Sequence, residues 1–247
     1  MPELDFGSDA KASFSMILAI NQPYFLPYIG YFQLIALADE FIVYDNIKYT
    51  KKGWINRNRF LRDGEAVTFT LPLKAGADHM DIDQRALASD YSPTRILNQL
   101  RSAYGRAPCF DSAMPVIEDV LSFSDRNLFR FVLNSLVRVC RYLDIQTPIT
   151  VSSTIDIDHG LKSERKVLAL CEARGADRYV NAIGGTELYS RENFAMRNIQ
   201  LQFLKALPAP YAQFGEGFVP WLSIVDVMMF NPVADIRARL LPAYELI

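Results

Sequence analysis

Short apolar runs alternate with stretches of helical periodicity at both ends of this chain, and that alternation limits its fold more than any other feature. The run ILAI at 17–20 reads as a buried strand, closed by the turn formers Asn21 and Pro23. Pro27 and Gly30 open a stretch, 31–38, whose apolar residues recur at helical spacing. A second strand-like run, β-branched and aromatic, follows at 41–44. Strand, loop, helix and strand in that order predict a right-handed crossover unit. The pattern returns late in the chain, with strands at 149–155, 178–182 and 199–204. A helix is predicted over 163–174, with Gly175 in the position of a C′ glycine. Two further helices are predicted at 222–230, stopped by Asn231-Pro232, and at 233–240. The expected fold is α/β, with a mainly parallel sheet and flanking helices.

The middle of the chain breaks this rhythm. Asp63-Gly64 separates RFLR from VTFTLPL and predicts a β-hairpin. Residues 75–92 are polar and irregular and read as a long surface loop. From Pro93 to Asp144 the pattern is helical, forming a central insertion or a cap. It is strongest over 127–143, where Phe131, Leu133, Leu136, Val137, Cys140 and Leu143 make an apolar face. No Pro-, Ser- or Gly-rich linker divides the chain, so 16–247 is expected to form one domain, preceded by a flexible extension over 1–15. Met16, just before the first strand, is expected to be the start or the first ordered residue.

Composition excludes several classes of function. With a net charge of −2 the chain has no global basic field, and no nucleic-acid partner is expected, although local clusters can still grip a phosphate. Cys109, Cys140 and Cys171 are odd in number and far apart, which fits neither a disulfide framework nor a zinc site. Reduced thiols and the lack of a signal peptide point to the cytoplasm. No apolar run approaches the roughly 20 residues of a membrane span. His79 and His159 fall in no metal spacing, and no metal ligand is assigned. A metal site at His159, between Asp156, Asp158 and Gly160, is weighed against a surface turn, and the turn is preferred. Walker, GxGxxG and GxSxG signatures are absent.

Three clusters can carry chemistry. NQPYFLPYIGYF follows the first strand and sets Asn21, Gln22, Tyr24 and Tyr28 where ligands of open α/β sheets bind. Gly30 in the same stretch would let a ligand approach the start of a helix. YDNIKYTKKGWINRNRF follows the second strand and carries Asp45, Lys48, Lys51, Lys52, Trp54, Asn56, Arg57 and Arg59, a set able to hold phosphates and stack on a base or sugar. In RYVNAIGGTELY, Asn181 ends a strand, and Gly184 and Gly185 offer backbone N–H groups for an anion before a helix at Thr186. Against these stand plainer readings: a Pro-rich turn, a solvated basic loop and a glycine turn. Asp226, alone in the apolar stretch LSIVDVMMFN, is expected to pair with an arginine.

Four stretches, QPYFLPYIGYFQLI at 22–35, YDNIKYTKKGWINRNRF at 44–60, YVNAIGG with LY at 179–189 and FVPWLSIVDVMMFN at 218–231, resemble the WbqC-like family of bacterial proteins. The resemblance starts at about Met16 and covers essentially all that follows. The family pattern often has two acids where this chain has Asp45-Asn46, which bears on any mechanism needing a carboxylate at position 46. The resemblance implies a part in building O-antigen or another surface polysaccharide of the lipopolysaccharide type. The reaction we expect within that role is acyl or aminoacyl transfer to the amine of a nucleotide-linked amino sugar, by a transferase or an ATP-dependent amide-forming ligase. Asp45 would act as base, with Lys52 and Arg57 as the other catalytic groups. Asn21, Gln22, Tyr24, Tyr28, Gly30, Lys48, Trp54, Asn56, Arg59, Asn181, Gly184 and Gly185 would bind the substrate, a nucleotide-linked sugar or other phosphorylated small molecule. ATP with magnesium is the cofactor such a ligase would use. The loop from Pro27 to Tyr31 is also similar in place to the His-x-Gly-His signature of nucleotidyl-transferase-like α/β enzymes, with Lys52, Arg57 or Lys162 replacing the absent histidines. The alternative is a non-catalytic binding or scaffold protein of polysaccharide assembly.

Overall fold

A computed structural model describes residues 15–247 of the protein; the extension expected over 1–15 lies, apart from Ser15, outside the described residues. Strand β1 (Ile17–Asn21) runs parallel to β2 (Glu40–Val43) on one side and to β6 (Arg178–Ala182) on the other. Beyond β2 lies β5 (Ile149–Val151), and beyond β6 lies β7 (Gln200–Ala206), both parallel. The antiparallel β8 (Tyr244–Leu246) closes the β7 edge, giving the order β5-β2-β1-β6-β7-β8. This is the α/β architecture expected, with β8 as an added edge.

Burial on both faces explains why the strands read as unbroken apolar runs. Leu18, Ile20, Ile42, Tyr179 and Leu201 face one core, where Val167, Leu168 and Cys171 of α5 (Ser163–Arg174) and Phe194 of α6 (Arg191–Ala195) cover them. Ala19, Phe41, Val43, Val180 and Leu204 face the larger core, covered by Phe32, Leu34 and Ile35 of α1 (Ile29–Leu37). Gly175 ends α5 with φ +66°, the left-handed geometry a C′ residue requires.

Everything between β2 and β5 forms one long crossover. It holds the hairpin of β3 (Arg57–Arg62) and β4 (Glu65–Thr70), turned at Asp63 (φ +53°) and Gly64 (φ +80°). Three helices follow: α2 (Thr94–Tyr104), α3 (Phe110–Leu121) and α4 (Leu128–Tyr142). Asn127 caps α4 by accepting from the Arg130 N–H at 3.0 Å. Val137 is exposed, off the buried face of α4, because one residue past Leu136 is about 100° of helix rotation. The stretch 75–92 is more than the surface loop expected: Ile82 and Leu87 are fully buried, and isolated bridges pair Leu73 with Leu87 and Ala86 with Asn127. Single anchoring side chains have no periodicity and escape pattern reading.

The chain ends with α7 (Ile224–Phe230), buried throughout, and α8 (Val233–Asp235), which runs into a π turn over Ile236–Leu240. No helix among the described residues is long and apolar enough to cross a membrane.

Candidate functional site

β1 and β6 are neighbours, yet the chain leaves β1 toward β2 and leaves β6 toward β7 on the opposite side. Connections that diverge in this way open a crevice at the carboxyl ends of the two strands. A cavity of about 790 Å³ occupies that position. Two asparagines shape its floor by one device. The Asn21 side chain accepts from the Gln22 N–H at 2.8 Å, and the Asn181 side chain accepts from the Ala182 N–H at 2.8 Å. Each amide turns its strand end outward and stays at the cavity wall.

Tyr24, Tyr28 and Gly30 line the wall beside α1. A Cβ at Gly30 would fall 2.5 Å from the Tyr28 ring. The glycine therefore admits Tyr28, and not a ligand, to the start of the helix. Burial raises the phenols of Tyr24 and Tyr28 above their ordinary value, so both stay protonated and can donate. On the β6 side, Gly184 and Gly185 lie inside a 3₁₀ turn, Ile183–Leu188, and do not precede a helix at Thr186. A Cβ at Gly185 would come within 2.6 Å of Asn181 Nδ2, so this glycine is needed for the asparagine to sit as it does.

The remaining wall is cationic. Lys48, Lys162, Lys166 and His79 line it, with Asp81 as the carboxylate among them. Lys166 is only 5% exposed. Its Nζ donates to Asn46 Oδ1 at 2.7 Å and the Asn46 carbonyl at 3.4 Å, and lies 5.3 Å from the Tyr44 ring centre. Burial lowers its pKa, Lys162 adds to the effect, and Asp45 and Asp81 oppose it. Asn46 Nδ2 donates to His159 Nδ1 at 3.0 Å, and His159 Nε2 lies 3.0 Å from the Ile155 carbonyl. An amide N–H on one side and a carbonyl on the other assign the neutral ring with its proton on Nε2. His159 thus stands in the turn preferred for it, where the Gly160 N–H donates to Asp158 Oδ1 at 2.8 Å, with its ring half-buried in a polar network; no metal cluster exists among the described residues.

The basic cluster after β2 does not converge. Asp45, expected as the base, is buried and does not line the cavity. Its Oδ1 accepts from Ser152 Oγ at 2.8 Å and the Ser153 N–H at 3.0 Å, and Oδ2 accepts from Ser153 Oγ. It ties the end of β2 to the 3₁₀ turn that cuts short the strand expected over 149–155. Arg57 folds onto its own loop, donating to the Gly53 carbonyl at 3.0 Å and the Lys52 carbonyl at 2.6 Å. Lys52 is exposed outside the cavity, and Lys51 pairs with Asp78 at 2.6 Å. Asn56 is structural, donating to the Leu71 carbonyl at 2.8 Å and accepting from the Tyr49 hydroxyl at 2.9 Å.

Trp54 and Arg59 line a second depression of about 460 Å³, which shares Tyr24, Tyr28 and Ile183 with the first. Trp54 and Trp221 stand 39% and 44% exposed on its rim. Arg59 lies 5.5 Å from the Trp54 ring centre and donates to the Trp221 carbonyl at 3.2 Å. Trp221 has φ +60°, an uncommon conformation for a bulky residue.

Asp226 finds no arginine. It is fully buried, and its oxygens accept from Tyr104 at 2.8 Å, Tyr211 at 2.6 Å and Gln213 at 2.6 Å. The thiols of Cys140 and Cys171 are pushed up to about 12 by burial, which removes them as nucleophiles. Lys166, Asn46 and Tyr189 of the main cavity were not singled out as candidates from the sequence. A lysine in the first turn of a helix that follows a parallel strand was the available signal.

Three comparisons bear on this site. The sequence model of the WbqC-like protein family matches residues 22–238. An uncharacterized protein of Mycobacterium tuberculosis, Rv1507c, is 30% identical over 225 residues, spanning 88% of this chain and 94% of that protein. No solved structure matches.

Proposed function

We propose, for a chain that belongs to the WbqC-like protein family, that the cavity between β1 and β6 binds a nucleotide-linked amino sugar, or another phosphorylated small molecule, and that an acyl or aminoacyl group is transferred to its amine. One observation carries the reading: Lys48, Lys162 and Lys166 meet at a cavity sited where the strand order reverses. A wall with that cationic excess favours an anion, and about 790 Å³ suits a ligand of nucleotide size.

Within this reading the lysines hold phosphate oxygens, while Asn21, Gln22 and Asn181 orient the sugar. Trp54 and Trp221 offer flat faces for a base or sugar ring in the adjoining depression. His79 and Asp81 are the wall groups suited to take the proton an attacking amine releases. Asp45 acts indirectly, by holding the loop that carries Asn46. In the ligase form of the reaction, Asp81 is the wall carboxylate that would help hold magnesium, and the ion would offset phosphate charge.

The test is a thermal-shift and calorimetric screen against nucleotide sugars and ATP, with and without magnesium. A ligand at 100 times its dissociation constant should stabilise the fold by roughly 2.7 kcal/mol. Lys48→Ala and Lys162→Ala should reduce that shift, and Lys52→Ala should not. The two exposed tryptophans also suit a protein partner, the basis of the scaffold reading. Absence of any shift across the screen would favour it.

A further inference from the structure

We propose that Lys166 is the principal anion-binding residue of the cavity, and that Asn46 serves by being neutral: it holds the ammonium with two carbonyl oxygens and leaves its charge uncancelled. The inference deepens the phosphorylated-ligand reading and rests on it.

An ammonium has three N–H groups. Asn46 takes two, at 2.7 and 3.4 Å, and the third has no protein acceptor among the described residues, while the side chain lines the cavity. None of the ion pairs among the described residues includes Lys166. The neighbouring acid, Asp45, is kept from pairing because Ser152 and Ser153 occupy both its oxygens. Tyr44 gives the ammonium a ring face and no counter-charge.

The orientation of Asn46 is fixed from its other end. Its Nδ2 donates to His159, whose proton is committed to the Ile155 carbonyl, so Oδ1 must face Lys166. A flipped amide would point an N–H at the ammonium and another acceptor at the ring. His159 is therefore a positioning residue for the amide.

The setting favours an anion. Lys166 sits in the first turn of α5, and the cap residue of that helix, Lys162, lines the same cavity without capping the helix through its side chain. The free N–H groups of that turn and the Lys162 charge add to the field at Lys166. Burying an ammonium without a carboxylate disfavours its charge, in line with its lowered pKa. A phosphate group would restore the missing partner.

Position 46 gives the sharpest test, because Asn→Asp changes charge with almost no change of shape. A carboxylate there would lie 2.7 Å from Nζ and pair with it. Titration calorimetry with inorganic pyrophosphate, ADP and UDP should show binding of at least one probe to the unaltered protein. Asn46→Asp should weaken it at least tenfold while the variant stays folded, its second oxygen facing His159 Nδ1, which takes up a proton in place of accepting the amide N–H. Lys166→Met should weaken it as much or more. If Lys166→Met fails to fold, Lys166→Arg carries the test: it should bind within a few-fold of the parent and lose binding when combined with Asn46→Asp. Parent-like binding by either Asn46→Asp or Lys166→Met, with Lys162→Ala still weakened, overturns the role of the Lys166–Asn46 pair and leaves the cavity reading intact. Failure of the unaltered protein to bind any phosphorylated probe overturns both.

Discussion

Asp226 and Lys166 are both charged residues taken out of water, and their surroundings differ in one respect. Around Asp226 the protein supplies every partner: Tyr104, Tyr211 and Gln213 donate to its two oxygens, and the Tyr104 hydroxyl accepts from the Leu61 N–H at 2.8 Å. The result is a closed network that joins β3, α2, the segment around Tyr211 and α7. Around Lys166 the protein supplies one residue, Asn46, and leaves an N–H facing a cavity. Burial of a charge does not by itself mark function. What separates a structural charge from a binding one is whether the fold has used up its hydrogen-bonding capacity.

The contrast can be broken by stability measurements. Asp226→Ala leaves the buried Tyr104 hydroxyl and the half-buried Tyr211 and Gln213 donors without their acceptor and should cost about 3–5 kcal/mol in urea unfolding. A loss under about 1 kcal/mol would mean the network does not hold the layers together. Tyr104→Phe removes one donor and one acceptor from the same network and should cost about 2 kcal/mol. Lys166→Met should change stability by no more than about 1 kcal/mol, in either direction, because the charge it removes has no counter-ion to lose. A cost equal to that of Asp226→Ala would erase the distinction.

The pH dependence sharpens the same contrast. Burial raises the Asp226 pKa above 3.8, against its three hydrogen bonds, so the folded state holds that proton longer. Its stabilising contribution is complete below 3.8 and is lost as pH rises through the folded value. Lys166 is lowered from 10.5, so its contribution is complete above 10.5 and is lost as pH falls through the folded value. The stability of the parent relative to Lys166→Met should therefore rise with pH from the folded value toward 10.5, a difference that cancels the opposite slope of the buried thiols and phenols common to both proteins.

Much of the fold was legible for physical reasons. β1 and β6 announce themselves because both their faces are covered, and α5 because a left-handed glycine ends it. β8 gives no signal: Tyr244–Leu246 is short and mostly exposed, and beyond its backbone pairing only Tyr244, half-buried against the core, and the Lys205–Glu245 ion pair at 3.6 Å tie it to the sheet. Asn21, Gln22 and Asn181 line the main cavity, as their place at strand ends of an open sheet predicts. Asp45 and Arg57 face away from the main cavity, because spacing in the chain says nothing of where a turn aims a side chain. Lys166 was passed over because a lysine in a helix's first turn ordinarily faces water.

The two indoles of the chain have a practical consequence. Trp54 and Trp221 are its whole tryptophan complement, and both stand partly exposed on the rim of one depression, beside the cavity wall at Tyr28. The red-edge ultraviolet emission of this protein therefore originates from a single locality. A change in its intensity or colour on mixing with another molecule reports on that rim without any attached dye.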